Sequence, residues 1–204
     1  MLSSKSLRII ALVATVACHA EVALAASHYS ITPNYSIKIN PSGPWSYIDE
    51  NGLLNVKTKS EFGINNYWNW GNGGNAGWCT ASAISRNKTG QTLNYGTIVQ
   101  PTNYLRLDPE SNTFNAVRFS APSSGTFVVK GSFLGIDVGE NSHAVAIDVN
   151  GVPTFGTTIN SYGQLARFNL NLTLAMGDTV DFIVETGPSC FDLSTGLTAT
   201  ISGP

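Results

Sequence analysis

Tyr67, Trp68, Trp70 and Trp78 stand among Asn65, Asn66, Asn69, Asn72 and Asn75 in the stretch NNYWNWGNGGNAGWC, and no charged residue occurs from Phe62 to Ser85. These residue types can hold sugars. The apolar C–H face of a pyranose stacks on an indole or phenol ring, and each Asn amide offers hydroxyls both donors and an acceptor. Trp68 and Trp70 are two apart, so in an extended segment they point the same way. The expected stacking face is Tyr67, Trp68 and Trp70, with Trp78 and Asn69 beside it, and Trp45 and Tyr47 could extend it. A structural use competes with this one. Tryptophan is usually well buried, and a charge-free Trp run beside a half-cystine can plug one open end of a core. On a strand, Trp45 is expected to be core.

Other chemistries have weaker support. Paired carboxylates could hydrolyse a glycoside, and Asp49/Glu50, Asp108/Glu110, Asp137/Glu140 and Asp178/Asp181 are the candidates. All lie in or beside turns, where acids serve solubility and turn hydrogen bonds, and nothing selects one pair. No catalytic residue is assigned. Asp137, Glu140 and Asn141 in DVGENS could ligate a structural calcium through oxygen; no other cofactor is expected. Gly71–Ala76 matches G-x-G-x-x-A, but without a flanking strand and helix it is no dinucleotide site. Only His28 and His143 follow residue 25. His143 is expected at the surface, and two His with two distant Cys make a poor zinc site.

The elements that must position these residues are strands. Phe168, Leu170, Leu172 and Leu174 alternate with Asn169, Asn171 and Thr173. Val145, Ile147 and Val149, then Val180, Phe182 and Val184, repeat the habit. Period two means one face on a core and one toward water. Thr126–Ile136 is a longer strand that Gly131 or Gly135 could bulge. Turn chemistry punctuates the runs at Asn51-Gly52, Pro122–Gly125, Asn150-Gly151 and Gly177-Asp178. Gly177-Asp178 reads as a hairpin turn in which Asp178 accepts turn hydrogen bonds. Ten to twelve short strands without a helix predict an all-β, antiparallel β-sandwich or jelly roll.

Residues 1–25 read as a cleaved signal peptide: Lys5 and Arg8, the apolar run Ile9–Ala17, then Ala23-Leu24-Ala25. The alternative is a lipid anchor at Cys18, in Thr15-Val16-Ala17-Cys18. Residues 26–39 form an N-terminal segment, loose at Ala26–Pro33, and residues 40–204 a single sandwich domain. Beyond residue 25 the net charge is −3, so no basic footprint for nucleic acid exists. No later apolar stretch is long enough for a membrane span. Cys79 and Cys190 are an even pair on an oxidising route, and a disulfide is expected.

NPSGPWSYID, LRLDPE, VRFSAPSSGTFVVKGSFLGID, VAIDVNGVPTF, FNLNLTLAMGDTVDFIV and STGLTATIS follow one another from Asn40 to Ser202. This order resembles a family of exported bacterial β-sandwich proteins, many with a C-terminal Pro-Glu-Pro sorting tail. Its sandwich is similar to carbohydrate-binding modules and to trimer-forming jelly rolls. The sequence ends at Ser202-Gly203-Pro204 without that tail, so free secretion is expected. The resemblance and the aromatics together predict a secreted, non-catalytic module for a polysaccharide or another surface polymer. The alternatives are an envelope or matrix component that associates through sandwich faces, as a homo-oligomer, and a secreted hydrolase.

Overall fold

The computed structural model describes residues 26–73, 79–139 and 141–204. The expected signal peptide, Cys18, Trp78 and Glu140 lie outside the described residues. The first half of the chain holds β1 (Ser27–Ser30), β2 (Trp45–Asp49), β3 (Gly52–Leu53), β4 (Val56–Glu61), β5 (Ile64–Gly71), β6 (Ala83–Asn87), β7 (Leu93–Tyr95), β8 (Ile98–Gln100) and β9 (Leu105–Asp108). The second holds β10 (Phe114–Ser120), β11 (Gly125–Gly135), β12 (His143–Val149), β13 (Val152–Ile159), β14 (Leu165–Leu174), β15 (Thr179–Glu185) and β16 (Thr195–Gly203). A single helical turn, Ile31–Asn34, is the helix among the described residues.

Two antiparallel sheets face each other. One runs β14-β11-β16-β9-β6-β5-β4 and the other β13-β12-β15-β10-β2-β3. From β9 to β16 the chain changes sheet at every step except β12 to β13, which is a jelly roll. β6, β5 and β4 extend one sheet beyond β9, and β2 and β3 extend the other beyond β10. This wrapping changes the expected role of Gly177-Asp178. It joins β14 to β15, which belong to different sheets, so it turns a corner of the roll instead of closing a hairpin. Asp178 still serves the turn, accepting from Ala175 N at 2.7 Å. Asn150-Gly151 does close a hairpin, β12 to β13, with both residues at positive φ, the backbone such a tight turn favours.

Alternation along the strands builds the core. Phe168 and Leu174 are buried, while Asn169, Asn171 and Thr173 are exposed. Val145, Ile147, Val180, Phe182 and Val184 pack with Trp45, Phe119, Phe127 and Phe133 in one cluster between the sheets. Burying each such side chain stabilises by roughly 1.5–3 kcal/mol. β11 is not bulged: its ladders to β14 and β16 run without a register shift. Gly131 serves close approach instead, because a Cβ there would lie 2.0 Å from Thr198 O and 2.7 Å from Phe168 Cζ.

The N-terminal segment is part of the sandwich rather than a loose start. β1 pairs with Thr200–Gly203 of β16, and Ile31, Tyr35 and Ile37 join the core. Asn40 holds the entry to β2. Its Nδ2 donates to Tyr47 O and Leu54 O at 2.7 and 2.9 Å, and its Oδ1 accepts from Tyr47 N at 3.0 Å. Cys79 and Cys190 are bonded, with Cα atoms 5.4 Å apart. The bridge ties the β5–β6 connection to the β15–β16 corner.

Candidate ligand-binding site

β5 carries the Trp-rich segment, and its two faces have different fates. Trp68 and Trp70 share a side, as their spacing requires, but that side faces into the sandwich. Trp70 is 4% exposed and belongs to the core; its Nε1 donates to Ser36 O at 2.7 Å. Trp68 is half-buried against the same cluster, and Lys88 Nζ sits 4.0 Å from its ring centroid. Trp45 and Tyr47 are buried too, and Tyr47 packs on Tyr35 at 4.7 Å between centroids. These four aromatics plug the core.

Tyr67 and Asn69 point the other way, onto the outer face of the sheet. Tyr67 is closed off there, beneath the β7–β8 ribbon. Its hydroxyl donates to Gln100 Oε1 at 2.6 Å and lies 3.0 Å from Tyr95 Oη. Burial pushes its phenol above the usual pKa. Asn69 stays partly open, and its Oδ1 accepts from Ser85 Oγ at 3.0 Å.

Arg106 organises this face. β9 neighbours β6, and Arg106 stands opposite Ser85 in the ladder. Its side chain is fully buried, with Nη2 3.3 Å from Glu61 Oε1 and Nε 2.7 Å from Asp108 Oδ2. Its guanidinium carbon lies 5.4 to 5.8 Å from the ring centroids of Tyr67, Tyr95 and Phe62. Cation–π attraction and two carboxylates compensate the desolvated charge. Burial alone would lower the Arg106 pKa, but Asp108, Tyr67 and Glu61 raise it. Burial raises the Glu61 carboxyl above its usual value, against the pull of Arg106.

Two hollows flank Phe62, which is 53% exposed. The larger is a groove of about 460 Å³ over β5. Thr58, Ser60 and Glu61 line one wall, Ser82 and Ala83 the other, and Asn69, Gly71 and Gly73 the floor. A Cβ on Gly71 would meet Ser82 O at 3.1 Å, and one on Gly73 would meet Val56 Cγ2 at 3.3 Å. Glycine therefore keeps the trough open. The smaller hollow, about 150 Å³, lies beyond Phe62 and is lined by Arg106, Asp108, Asp137, Phe191, Asp192 and Ser194 among others.

Of the residues expected for calcium, Asp137 lines the smaller hollow. Asp137 is 3% exposed and its Oδ1 accepts from Gly139 N at 3.0 Å. Asn141 turns away: its backbone N donates to Asp192 O and its Nδ2 to Phe191 O. Among the described residues, no group of three His, Cys, Asp or Glu could hold a metal ion. His143 is buried, not at the surface. It begins β12 at the rim of the sandwich, where Nδ1 meets Asn141 O at 3.0 Å and Nε2 meets Thr195 Oγ1 at 2.5 Å. Burial lowers its pKa. Asp49 and Glu110, which belong to different candidate carboxylate pairs, meet through Asn72, whose Nδ2 donates to both.

Sequence reasoning missed Phe62, Glu61, Arg106, Phe191 and Asp192 as site residues. The one local signal was Phe62-Gly63, a large aromatic in a turn with both residues at positive φ. The rest come together only across strands.

No protein-family profile matches the chain, and no curated protein matches it. Among solved structures it is similar to the K2 cleaved adhesin domain of Lys-gingipain, at 14% identity and a TM-score of 0.45, over 87% of this chain and 98% of that one. It is also similar to a family 35 carbohydrate-binding module from Clostridium thermocellum, at 15% identity and a TM-score of 0.35, over 54% and 83%. A third is the CBM36-1 domain of a multidomain xylanase from the hindgut metagenome of Trinervitermes trinervoides, at 14% identity and a TM-score of 0.36, over 60% and 97%. Among the described residues, no helix is long and apolar enough to cross a membrane.

Proposed function

We propose that this chain is a secreted, non-catalytic carbohydrate-binding module that seats a polysaccharide segment in the groove over β5. One observation carries this: a solvent-open trough of about 460 Å³ combines hydroxyl-bearing walls and an amide on its floor with an exposed aromatic ring at its end. Phe62 is the stacking ring. Asn69, Thr58, Ser60 and Ser82 exchange hydrogen bonds with sugar hydroxyls, and Glu61 accepts from them. This moves the ligand from the Trp pair to the opposite face of the same strand. Affinity electrophoresis against a panel of soluble polysaccharides tests it. At least one polymer should retard the protein, and Asn69→Ala and Phe62→Ala should each weaken that binding about tenfold, near 1.4 kcal/mol. Absence of retardation by any polymer, or unchanged binding in both variants, refutes the proposal.

A second reading rests on the outer face of the other sheet. There Gly156, Ala146, Ile183, Ala116, Ile48 and Leu53 stand in register across all six strands. Ile48, Ala116 and Ile183 are buried there in a cluster separate from the core, which leaves Leu53, 48% exposed on the edge strand β3, as the open end of the row. An open edge strand that carries an exposed leucine suits pairing with a second copy. It predicts a concentration-dependent oligomer in sedimentation velocity, which Leu53→Lys abolishes; a monomer at all concentrations refutes it.

A further inference from the structure

The small hollow beyond Phe62 is lined by Thr97, Asp108, Asp137 and Asp192, with the fully buried Arg106 behind them. Thr97 is exposed and Asp192 partly so, and each can exchange a hydrogen bond with a sugar hydroxyl, which donates one hydrogen and accepts through two lone pairs. The hollow is small, about 150 Å³ against about 460 Å³ for the groove, which suits one residue rather than a chain segment. Its rim carries exposed rings on two elements, Phe62 at 53% and Phe191 at 54% exposure. Phe62 also lines the groove, so the two hollows adjoin at that ring.

We propose that this hollow is a subsite for one pyranose ring without negative charge, the terminal or branching residue of the polysaccharide whose chain lies in the groove. Phe62 and Phe191 flank the ring, while Thr97 and Asp192 take its hydroxyls. Charge sets the selectivity. Asp108, Asp137 and Asp192 line the hollow against the single guanidinium of Arg106, so a uronate would meet an excess of like charge. This inference rests on the groove being a saccharide site, and it adds a chain end and a charge class to that reading.

The test uses saturation-transfer NMR and amide shifts of the oxidised protein with three probes: methyl glucopyranoside, methyl galactopyranoside and the methyl glucuronide. At least one neutral pyranoside should bind and shift the amides of Thr97, Asp192 and Ser194, and the glucuronide should bind at least tenfold more weakly. Phe191→Ala should weaken the neutral probe about tenfold. Asp192→Asn, which keeps the shape and suits the positive φ at that position, should narrow the gap between neutral and acidic probes. Equal binding of the glucuronide overturns the proposal. So does a neutral probe that is indifferent to both variants but lost in Asn69→Ala, which places the ring in the groove and leaves the groove reading standing. Retention of a polysaccharide with no pyranoside bound also sinks the subsite alone, whereas failure of polysaccharide and pyranosides together removes both.

Discussion

Replacing both half-cystines, Cys79→Ser with Cys190→Ser, should cost more than any other exposed-site change. The two residues are 111 apart in sequence, and the loop they close runs from before β6 to beyond β15. In the chain-entropy account the unfolded ensemble loses about 16 cal/mol/K for a loop of this length, or about 4.8 kcal/mol at 25 °C. Total stability of a domain is about 5–15 kcal/mol, so the variant should retain the fold with a much smaller margin. With a urea slope of about 2 kcal/mol/M, the unfolding midpoint should fall by about 2 M. The assay is equilibrium urea unfolding by fluorescence, with the oxidised state of the parent confirmed by intact mass. A loss below about 1 kcal/mol would refute the reasoning, because the long loop would then not be restricting the unfolded chain. Cys190 also lines the small hollow next to Phe191 and Asp192. The same variant should therefore weaken neutral pyranoside binding while the groove variants' effects persist.

Three further outcomes follow from burial and contact. Trp70→Ala should destabilise by about 3–5 kcal/mol in urea unfolding, and Trp70 in the folded protein should resist N-bromosuccinimide; a loss under 1 kcal/mol would contradict its place in the core. Gly131→Ala places a methyl against the backbone of β16, 2.0 Å from Thr198 O, and should cost about 3 kcal/mol or more, a fall of about 6–12 °C in Tm. Glu61 has a carboxyl raised by burial, so the folded state holds its proton more tightly than the unfolded chain does. Its contribution is fully present below the unfolded value of about 4.3 and is lost as pH rises through the raised folded value. Relative to Glu61→Gln, the parent should lose stability as pH rises above the unfolded value in urea titrations; a pH-independent difference would refute the shift.

Much of the sandwich was legible because strand periodicity is a local signal. Phe168 to Leu174 and Val180 to Val184 carry their inward and outward faces in the order of their residues, and the structure places those faces as read. The Cys79–Cys190 bond was legible from arithmetic, since two cysteines beyond residue 25 allow one pairing. Ala26–Pro33 was misjudged because nothing local in SHYSIT marks a strand that completes itself only on β16. Gly177-Asp178 was misjudged for a related reason. A turn motif specifies a reversal, but whether the next strand rejoins the same sheet depends on how the roll closes.

The spacing of Trp68 and Trp70 by itself determined that they share a side, and that Tyr67 and Asn69 share the other. Which side faces water was decided by the tertiary structure alone. β5 sits inside a sheet whose inner face meets the opposing sheet, and the apolar pair gains most from that contact. The outer face then received Arg106 from β9, Glu61 and Phe62 from the β4–β5 turn, and Phe191 and Asp192 from the β15–β16 corner. These residues are scattered over more than 100 positions, and only the pairing of strands, driven by burial of the core between the sheets, brings them around two hollows that meet at Phe62.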